Sequence, residues 1–304
     1  MSCGARKGCL EFKQMPDKKD QPKSVSRPPW LRVRAAGDKR YLEVRALLRE
    51  HNLHTVCQEA NCPNRGECFS SGTATFLILG PNCTRNCRFC NITSGHVSRP
   101  DGNEAENVAR AVDLLGLKHA VITSVTRDDL PDGGAGQFAG VIRAIRALGK
   151  NVTIEVLTPD FKGRTDSIET VLEARPDVFN HNVETVPRLY GAVRPEADYG
   201  LSLRVLKMAA EPEKMVTKSG LMVGLGETFE ELCQVFADLN SVGVDFLTIG
   251  QYLPPSREHY PVVKYYHPSE FDELAEQARA MGIRSVFSAP LVRSSYHAGE
   301  QYNS

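Results

Sequence analysis

Six of the nine cysteines in this 304-residue chain fall between Cys57 and Cys90. In a reducing compartment such crowding favours metal or cluster ligation over disulfides, and an odd total leaves one thiol unpaired in any all-disulfide scheme. The six form two groups of three. Cys83-Thr-Arg-Asn-Cys87-Arg-Phe-Cys90 puts three thiols on one short loop, with three residues and then two between them. Cys57-Gln-Glu-Ala-Asn-Cys62-Pro-Asn-Arg-Gly-Glu-Cys68 has intervals of four and five, with Asn61, Pro63, Asn64 and Gly66 as turn residues that let the backbone wrap a cluster. A [4Fe–4S] cluster normally takes four cysteines. A three-cysteine loop with no nearby fourth therefore leaves one iron open to bind something that is not protein. The alternatives are zinc or incidental buried thiols at the second loop, and zinc or a ferredoxin-like electron relay at the first. Zinc sites usually join a Cys-x2-Cys to a distant second pair or to His, and no matching pair follows.

The elements that would position these loops show a regular rhythm. Apolar runs of strand character lie at residues 75–79, 120–125, 152–157, 178–182, 221–225, 246–249 and 284–287. Helical patterns alternate with them at 104–115, 137–148, 166–174, 201–209, 227–241 and 269–281. Gly116, Gly149, Gly243 and Gly282 stand at or just past helix ends, where a residue tolerant of positive φ is favoured. Such alternation implies α/β architecture with parallel strands and right-handed crossovers, as a barrel of about six units or as an open doubly wound sheet. In either, the ligand site forms at the C-terminal strand ends. The loop of Cys83, Cys87 and Cys90 follows the first strand. The 57–68 group lies upstream, after a short amphipathic helix at 41–52 carrying Leu42, Val44, Leu47 and Leu48, with Leu53 just beyond. Residues 1 to about 28 read as a flexible tail.

Composition narrows the class. Hydrophobic residues make up 41% and charged residues 24%, which suits one large α/β domain. Lys plus Arg equals Asp plus Glu at 37 each, so no global field recruits nucleic acid or a membrane. No stretch approaches the roughly 20 apolar residues of a transmembrane span. The N-terminus lacks the apolar core of a secretory signal and carries Glu11, Asp17 and Asp20. A cytoplasmic protein is expected.

The 83–90 loop, with Phe89 at the aromatic position, resembles the CxxxCxφC signature of the radical S-adenosylmethionine superfamily. Together with CxxxxCxxxxxC upstream and Arg293-Ser294-Ser295-Tyr296 near the end, it resembles the lipoyl synthase family, from about Pro28 to Ala298. That resemblance implies a partial (β/α)6 TIM-like barrel at 73–290, with extensions at 29–72 and 291–304 carrying the auxiliary-cluster residues. It implies two [4Fe–4S] clusters, one on Cys83, Cys87 and Cys90 with S-adenosylmethionine on the open iron. The other would rest on Cys57, Cys62, Cys68 and Ser295. The family inserts two sulfur atoms, taken from the auxiliary cluster, at C6 and C8 of an octanoyl group. The implied partners are octanoylated lipoyl domains of 2-oxo acid dehydrogenase E2 subunits and glycine cleavage H protein, with ferredoxin or flavodoxin as reductant.

Strand period places Asn180, Asn182 and Glu184 on one face. Similarity to biotin synthase gives Asn182 and Glu184 to the ribose. Ser124 or Thr123 is expected at the methionine amino group, because no Glu follows Gly133-Gly134 where the superfamily commonly has one. Arg194 is expected at the methionine carboxylate or the substrate peptide, and Glu155 as a further polar contact. The segment from Gly220 to Glu227 resembles the superfamily element whose glycines admit the adenine. His119, His181 and His297 receive no catalytic role, since hydrogen-atom removal needs no general base. A biotin synthase-type enzyme and a non-catalytic iron–sulfur electron carrier are the competing readings.

Overall fold

The computed structural model describes residues 27–33, 37–71, 73–211 and 215–303. Nearly all of the tail read at 1–28, with Cys3 and Cys9, lies outside the described residues. Asp38 accepts the Tyr41 N–H at 2.8 Å and starts helix α1 (Lys39–Glu50), which buries Val44 and Leu48. Leu42 is exposed instead of packed; two residues from Val44, it points to the opposite side of the helix. Strand β1 (His54–Thr55) leads into α2 (Val56–Glu59) and α3 (Arg65–Ser70), then β2 (Thr75–Ile78). A two-stranded clip, β3 (Asn82–Cys83) and β4 (Thr93–Ser94), frames the second cysteine loop.

From there helices and strands alternate: α4 (Glu104–Leu115), β5 (His119–Ser124), α5 (Ala135–Ala147), β6 (Thr153–Leu157), α6 (Thr165–Glu173) and β7 (Val178–Asn180). The chain continues through α7 (Tyr190–Val193), α8 (Tyr199–Ala210), β8 (Val216–Val223), α9 (Phe229–Ser241), β9 (Phe246–Gln251), α10 (Pro268–Ala280), β10 (Ser285–Ala289) and α11 (Ala298–Asn303). Gly116, Gly149, Gly243 and Gly282 take φ of 65°, 66°, 83° and 99°, the left-handed backbone expected at helix ends.

The sheet runs β1-β2-β5-β6-β7-β8-β9-β10. β1 is antiparallel to β2, and every later pair is parallel. Strands therefore follow sequence order without the reversal that defines a doubly wound sheet. Six strand–helix units and a final strand make an incomplete TIM-like barrel. Phe76, Ile78, Ala120, Ile122, Ile154, Val156 and Phe179 are fully buried in the core that the outer helices share, including Val108, Val112, Phe138 and Ile142. Alternate positions, such as Leu77, Val121 and Leu157, line the interior cavity.

After β10 the chain crosses the barrel interior. The Leu291 carbonyl accepts from Asn64 Nδ2 at 2.7 Å. The Val292 carbonyl would stand 2.1 Å from a Cβ on Gly250, so only glycine admits this crossing.

Candidate active site

The two cysteine groups, separate in sequence, line one cavity of about 1150 Å³ together with Asn182, Glu184, Arg194 and Ser295. All seven cysteines among the described residues are free. Cys57 sits on α2 and Cys68 on α3, with Cys62 between them. Asn61 takes φ of 50° and Asn64 precedes α3, as turn residues do; Gly66, read as a turn residue, lies inside that helix. Among the described residues no three Cys, His, Asp or Glu groups converge tightly enough to grip a single ion, and the six thiols stand along the cavity wall.

The 83–90 loop is held from several sides. The Thr84 N–H and hydroxyl both reach the Thr126 carbonyl, at 3.0 and 2.9 Å. The Arg88 N–H donates to Val193 O at 2.8 Å, and the Tyr260 N–H donates to Arg88 O at 2.8 Å. Arg85 is buried between Asp160, at 2.7 Å to both carboxylate oxygens, and Asp128, at 2.8 and 3.1 Å. Asn91 Nδ2 donates to Glu59 O at 2.8 Å, tying this loop to the first cysteine group. Phe89 lines the cavity and packs against the buried apolar cluster that holds Leu221, Val223 and Ile249.

Burial pushes the thiols of Cys57 and Cys87 up to about 11 and those of Cys68 and Cys90 up to about 12. Such thiols keep their protons until a cation displaces them. Two sets of three thiols lining one cavity are the donor type that iron–sulfur clusters take.

β7 ends at Asn180, and the next residues turn along the barrel mouth. Asn180 does not share the cavity with its neighbours: it is fully buried, with Nδ2 donating to Glu155 Oε1 at 3.0 Å. Glu155 is likewise no cavity contact. It is enclosed by Lys218 Nζ at 3.0 and 3.3 Å and by His119 Nε2 at 3.3 Å. Asn182 Nδ2 donates to Glu184 Oε1 at 3.1 Å, and both face the cavity. Glu184 holds φ of 64°, a conformation costly for a residue with a Cβ and typical of functional sites. Its N–H donates to Gly220 O at 3.0 Å, and its carbonyl accepts from Met222 at 2.9 Å. Burial raises the Glu184 carboxyl, which Arg194 opposes.

Arg194 Nη1 donates to the carbonyls of Asn182 and Val183 at 3.0 and 3.2 Å, so it braces this turn. Ser124 Oγ, Thr158 Oγ1 and Arg194 Nε are buried without a hydrogen-bond partner, and their residues line the cavity. Unpaired buried polar atoms call for a polar ligand or water. Thr123 Oγ1 is already engaged with Leu157 O at 2.9 Å, which leaves Ser124 as the available hydroxyl of the two. Gly133-Gly134 does not reach the cavity; Gly134 precedes α5, and the pair packs on Phe161 and Leu79. Gly224 and Gly226 shape a turn closed by Glu227, which accepts from the Gly224 and Leu225 amides at 2.6 and 2.9 Å. Of Gly220, Gly224 and Gly226 only Gly220 lines the cavity.

Sequence reasoning missed Thr75, Thr158 and the first serine of the terminal motif. Thr75 Oγ1 donates to Ser295 Oγ at 2.9 Å, and both residues line the cavity with Cys57, so Thr75 anchors the terminal segment on the side of the first cysteine group. Hydroxyl residues at strand ends carry no signal of this kind; their role follows from which strands meet.

An incomplete parallel barrel with a three-cysteine loop after its first full strand defines a class. The Radical SAM superfamily model matches residues 77–239, more than half of the chain. That superfamily pairs a [4Fe–4S] cluster with S-adenosylmethionine, and the cysteine loop and partnerless polar wall fit both. Among solved structures, Streptococcus suis SuiB bound to S-adenosylmethionine aligns with a TM-score of 0.56 at 12% identity, over 81% of this chain and 53% of SuiB. Methylornithine synthase (PylB) aligns with a TM-score of 0.50 at 13% identity, over 84% of each chain. At such identities the likeness is one of fold. The lipoyl synthase of Caldicellulosiruptor saccharolyticus is 56% identical over 277 residues, 91% of this chain and 97% of its own. That of Methylococcus capsulatus is 52% identical over 298 residues, 97% of this chain and 92% of its own. The chain belongs to the lipoyl synthase family and is an enzyme.

Proposed function

We propose that the enzyme inserts two sulfur atoms at C6 and C8 of an octanoyl group carried on a lysine of lipoyl-carrier domains. The observation that carries this reading is the meeting of both three-cysteine groups and Ser295 in one cavity. Cys83, Cys87 and Cys90 hold one [4Fe–4S] cluster; Cys57, Cys62, Cys68 and the Ser295 oxygen hold the second. When bound, the first cluster supplies the electron that splits S-adenosylmethionine to its radical, and the second supplies sulfide. The oxygen of Ser295 is a harder ligand than thiolate and easier to displace, which suits a cluster that is consumed.

Asn182 and Glu184 orient the ribose. The unpartnered Ser124 hydroxyl and Arg194 Nε take polar groups of the methionine end, and Phe89 keeps the cysteine loop packed on the core. The apolar Leu77, Val121 and Met222 along the same wall admit the octanoyl chain while excluding water. In this reading residues 29–72 and 291–304 are extensions that complete the auxiliary site on a barrel at 73–290. The partners are octanoylated lipoyl domains of 2-oxo acid dehydrogenase E2 subunits and glycine cleavage H protein. Ferredoxin or flavodoxin serves as reductant, in the cytoplasm. Among the described residues no helix is long and apolar enough to cross a membrane.

The test is anaerobic reconstitution with reductant, S-adenosylmethionine and an octanoyl-lysine peptide, following 5′-deoxyadenosine and peptide mass. A peptide that gains two sulfurs, with the gain lost in Cys68→Ala, supports the reading. Nucleoside release without sulfur transfer rejects the substrate.

A further inference from the structure

The terminal motif Arg293-Ser294-Ser295-Tyr296 holds two serines, and the proposed function uses only the second. Ser294 Oγ lies 2.7 Å from Asn182 Nδ2 and 3.0 Å from Asn182 Oδ1, facing the whole carboxamide. Asn182 Nδ2 also serves Glu184, so Ser294 and Glu184 together fix the plane of the amide. The fit is tight: a Cβ on Gly220 would stand 2.8 Å from both Asn182 Oδ1 and Ser294 Oγ. On the other side of the same peptide bond, Ser295 Oγ accepts from Thr75. Consecutive Cα atoms are fixed at about 3.8 Å, so any backbone shift that withdraws Ser295 also draws on Ser294. Farther along, Tyr296 Oη and His297 Nε2 reach Glu67 Oε1 at 2.9 and 3.0 Å, pinning the segment to the helix of Cys68.

The geometry points to Ser294 as a positioning residue that couples S-adenosylmethionine binding at Asn182 and Glu184 to the seating of Ser295 at the auxiliary cluster. This rests on the proposed roles of those three residues. With the segment seated, Asn182 meets the nucleoside with its amide already oriented. With the segment withdrawn, Glu184 alone holds the amide, and the nucleoside is held less tightly. Coupling is reciprocal, so bound nucleoside equally favours the seated segment. Two sulfur insertions need two molecules of S-adenosylmethionine. A hold that weakens when Ser295 lets go promotes exchange of spent nucleoside and methionine between the two rounds.

The experiment measures the Kd of S-adenosylmethionine by anaerobic equilibrium dialysis on the full chain with both clusters loaded, in wild type, Ser294→Ala, Ser295→Ala and the double variant. Each single change is expected to raise Kd about five-fold or more, and the double no further than the larger single. A urea midpoint and a cluster content equal to wild type in Ser294→Ala guard against a folding defect. With these equal, a Kd within two-fold of wild type in Ser294→Ala, or losses that simply multiply in the double variant, overturns the coupling alone. An auxiliary-cluster spectrum unchanged in Ser295→Ala sinks the ligand assignment of Ser295, and the coupling with it.

Discussion

Glu155 and Lys218 face each other inside the barrel, each almost wholly inaccessible to water. Burial alone would raise the glutamate, but Lys218 and His119 hold it well below the usual carboxylate range. Removing one member of such a pair strands the other charge. Lys218→Met is therefore expected to cost about 3–5 kcal/mol in urea unfolding, and pairing it with Glu155→Leu to recover most of the loss. A loss under about 1 kcal/mol would show that water reaches the pair. Neither residue touches the cavity, so the double variant should retain its affinity for S-adenosylmethionine. Glu155 was legible in the sequence as an inward polar residue, because strand alternation fixes its side. Its partner was not, since the register of β8 against β7, Asn180 beside Lys218, is what brings the ammonium to it.

At the scale of elements, the turn from β8 into α9 shows how a sequence motif and its structural use can part company. The sequence groups Gly220, Gly224 and Gly226 in one segment that resembles an adenine-facing element. Gly224 takes φ of 101°, and a Cβ there would meet Gln251 Nε2 at 2.2 Å and Lys264 O at 2.4 Å. Gly224→Ala should destabilise the chain by about 2 kcal/mol or more, visible as a lower urea midpoint. A midpoint within error of wild type would refute this account of the turn. The helices and strands themselves were largely readable, because hydrophobic period and glycine caps are local signals. The elements that shape the site, α2, α3 and the crossing segment after β10, are short or irregular, so period says little about them.

For the whole molecule, the proposed function makes the segments that carry the auxiliary-site residues depend on what the cavity holds. On that reading, stripping the reconstituted protein of its iron and sulfide anaerobically with a chelator should raise amide exchange at residues 54–71 and 291–299 while β5 to β9 stay protected, because metal-bound loops lose their anchor and the helix-covered strands do not. Uniform exchange throughout would mean that the clusters hold the barrel too. Acid acts on the core instead. His181 is buried with Nδ1 on Thr158 O and Nε2 on Ser202 Oγ at 2.9 and 3.1 Å, and burial with Arg194 nearby lowers it to about 4 from 6.5. Between those values the unfolded chain binds the proton and the folded chain does not, so stability falls by about 3 kcal/mol as pH drops through that window. Glu155, held below the usual carboxylate range by Lys218, continues the loss at lower pH, where the unfolded carboxyl takes up a proton before the folded one does. His181→Gln should flatten the first part of the urea-midpoint profile; an unchanged profile would contradict it.

The sequence by itself determined the strand–helix rhythm and two sets of three thiols at spacings suited to clusters. These are short-range properties, carried by neighbours within a turn of helix or a pair of strand residues. Only the tertiary structure decided that the two sets share one cavity, that Ser124 rather than Thr123 keeps a free hydroxyl, and that Asn180 and Glu155 belong to the core. It alone brought Ser294 to Asn182, 112 residues away, and Ser295 to Thr75, 220 residues away. Curvature of the sheet and the path of the last segment across it set those contacts, and neither is written in any local run of residues.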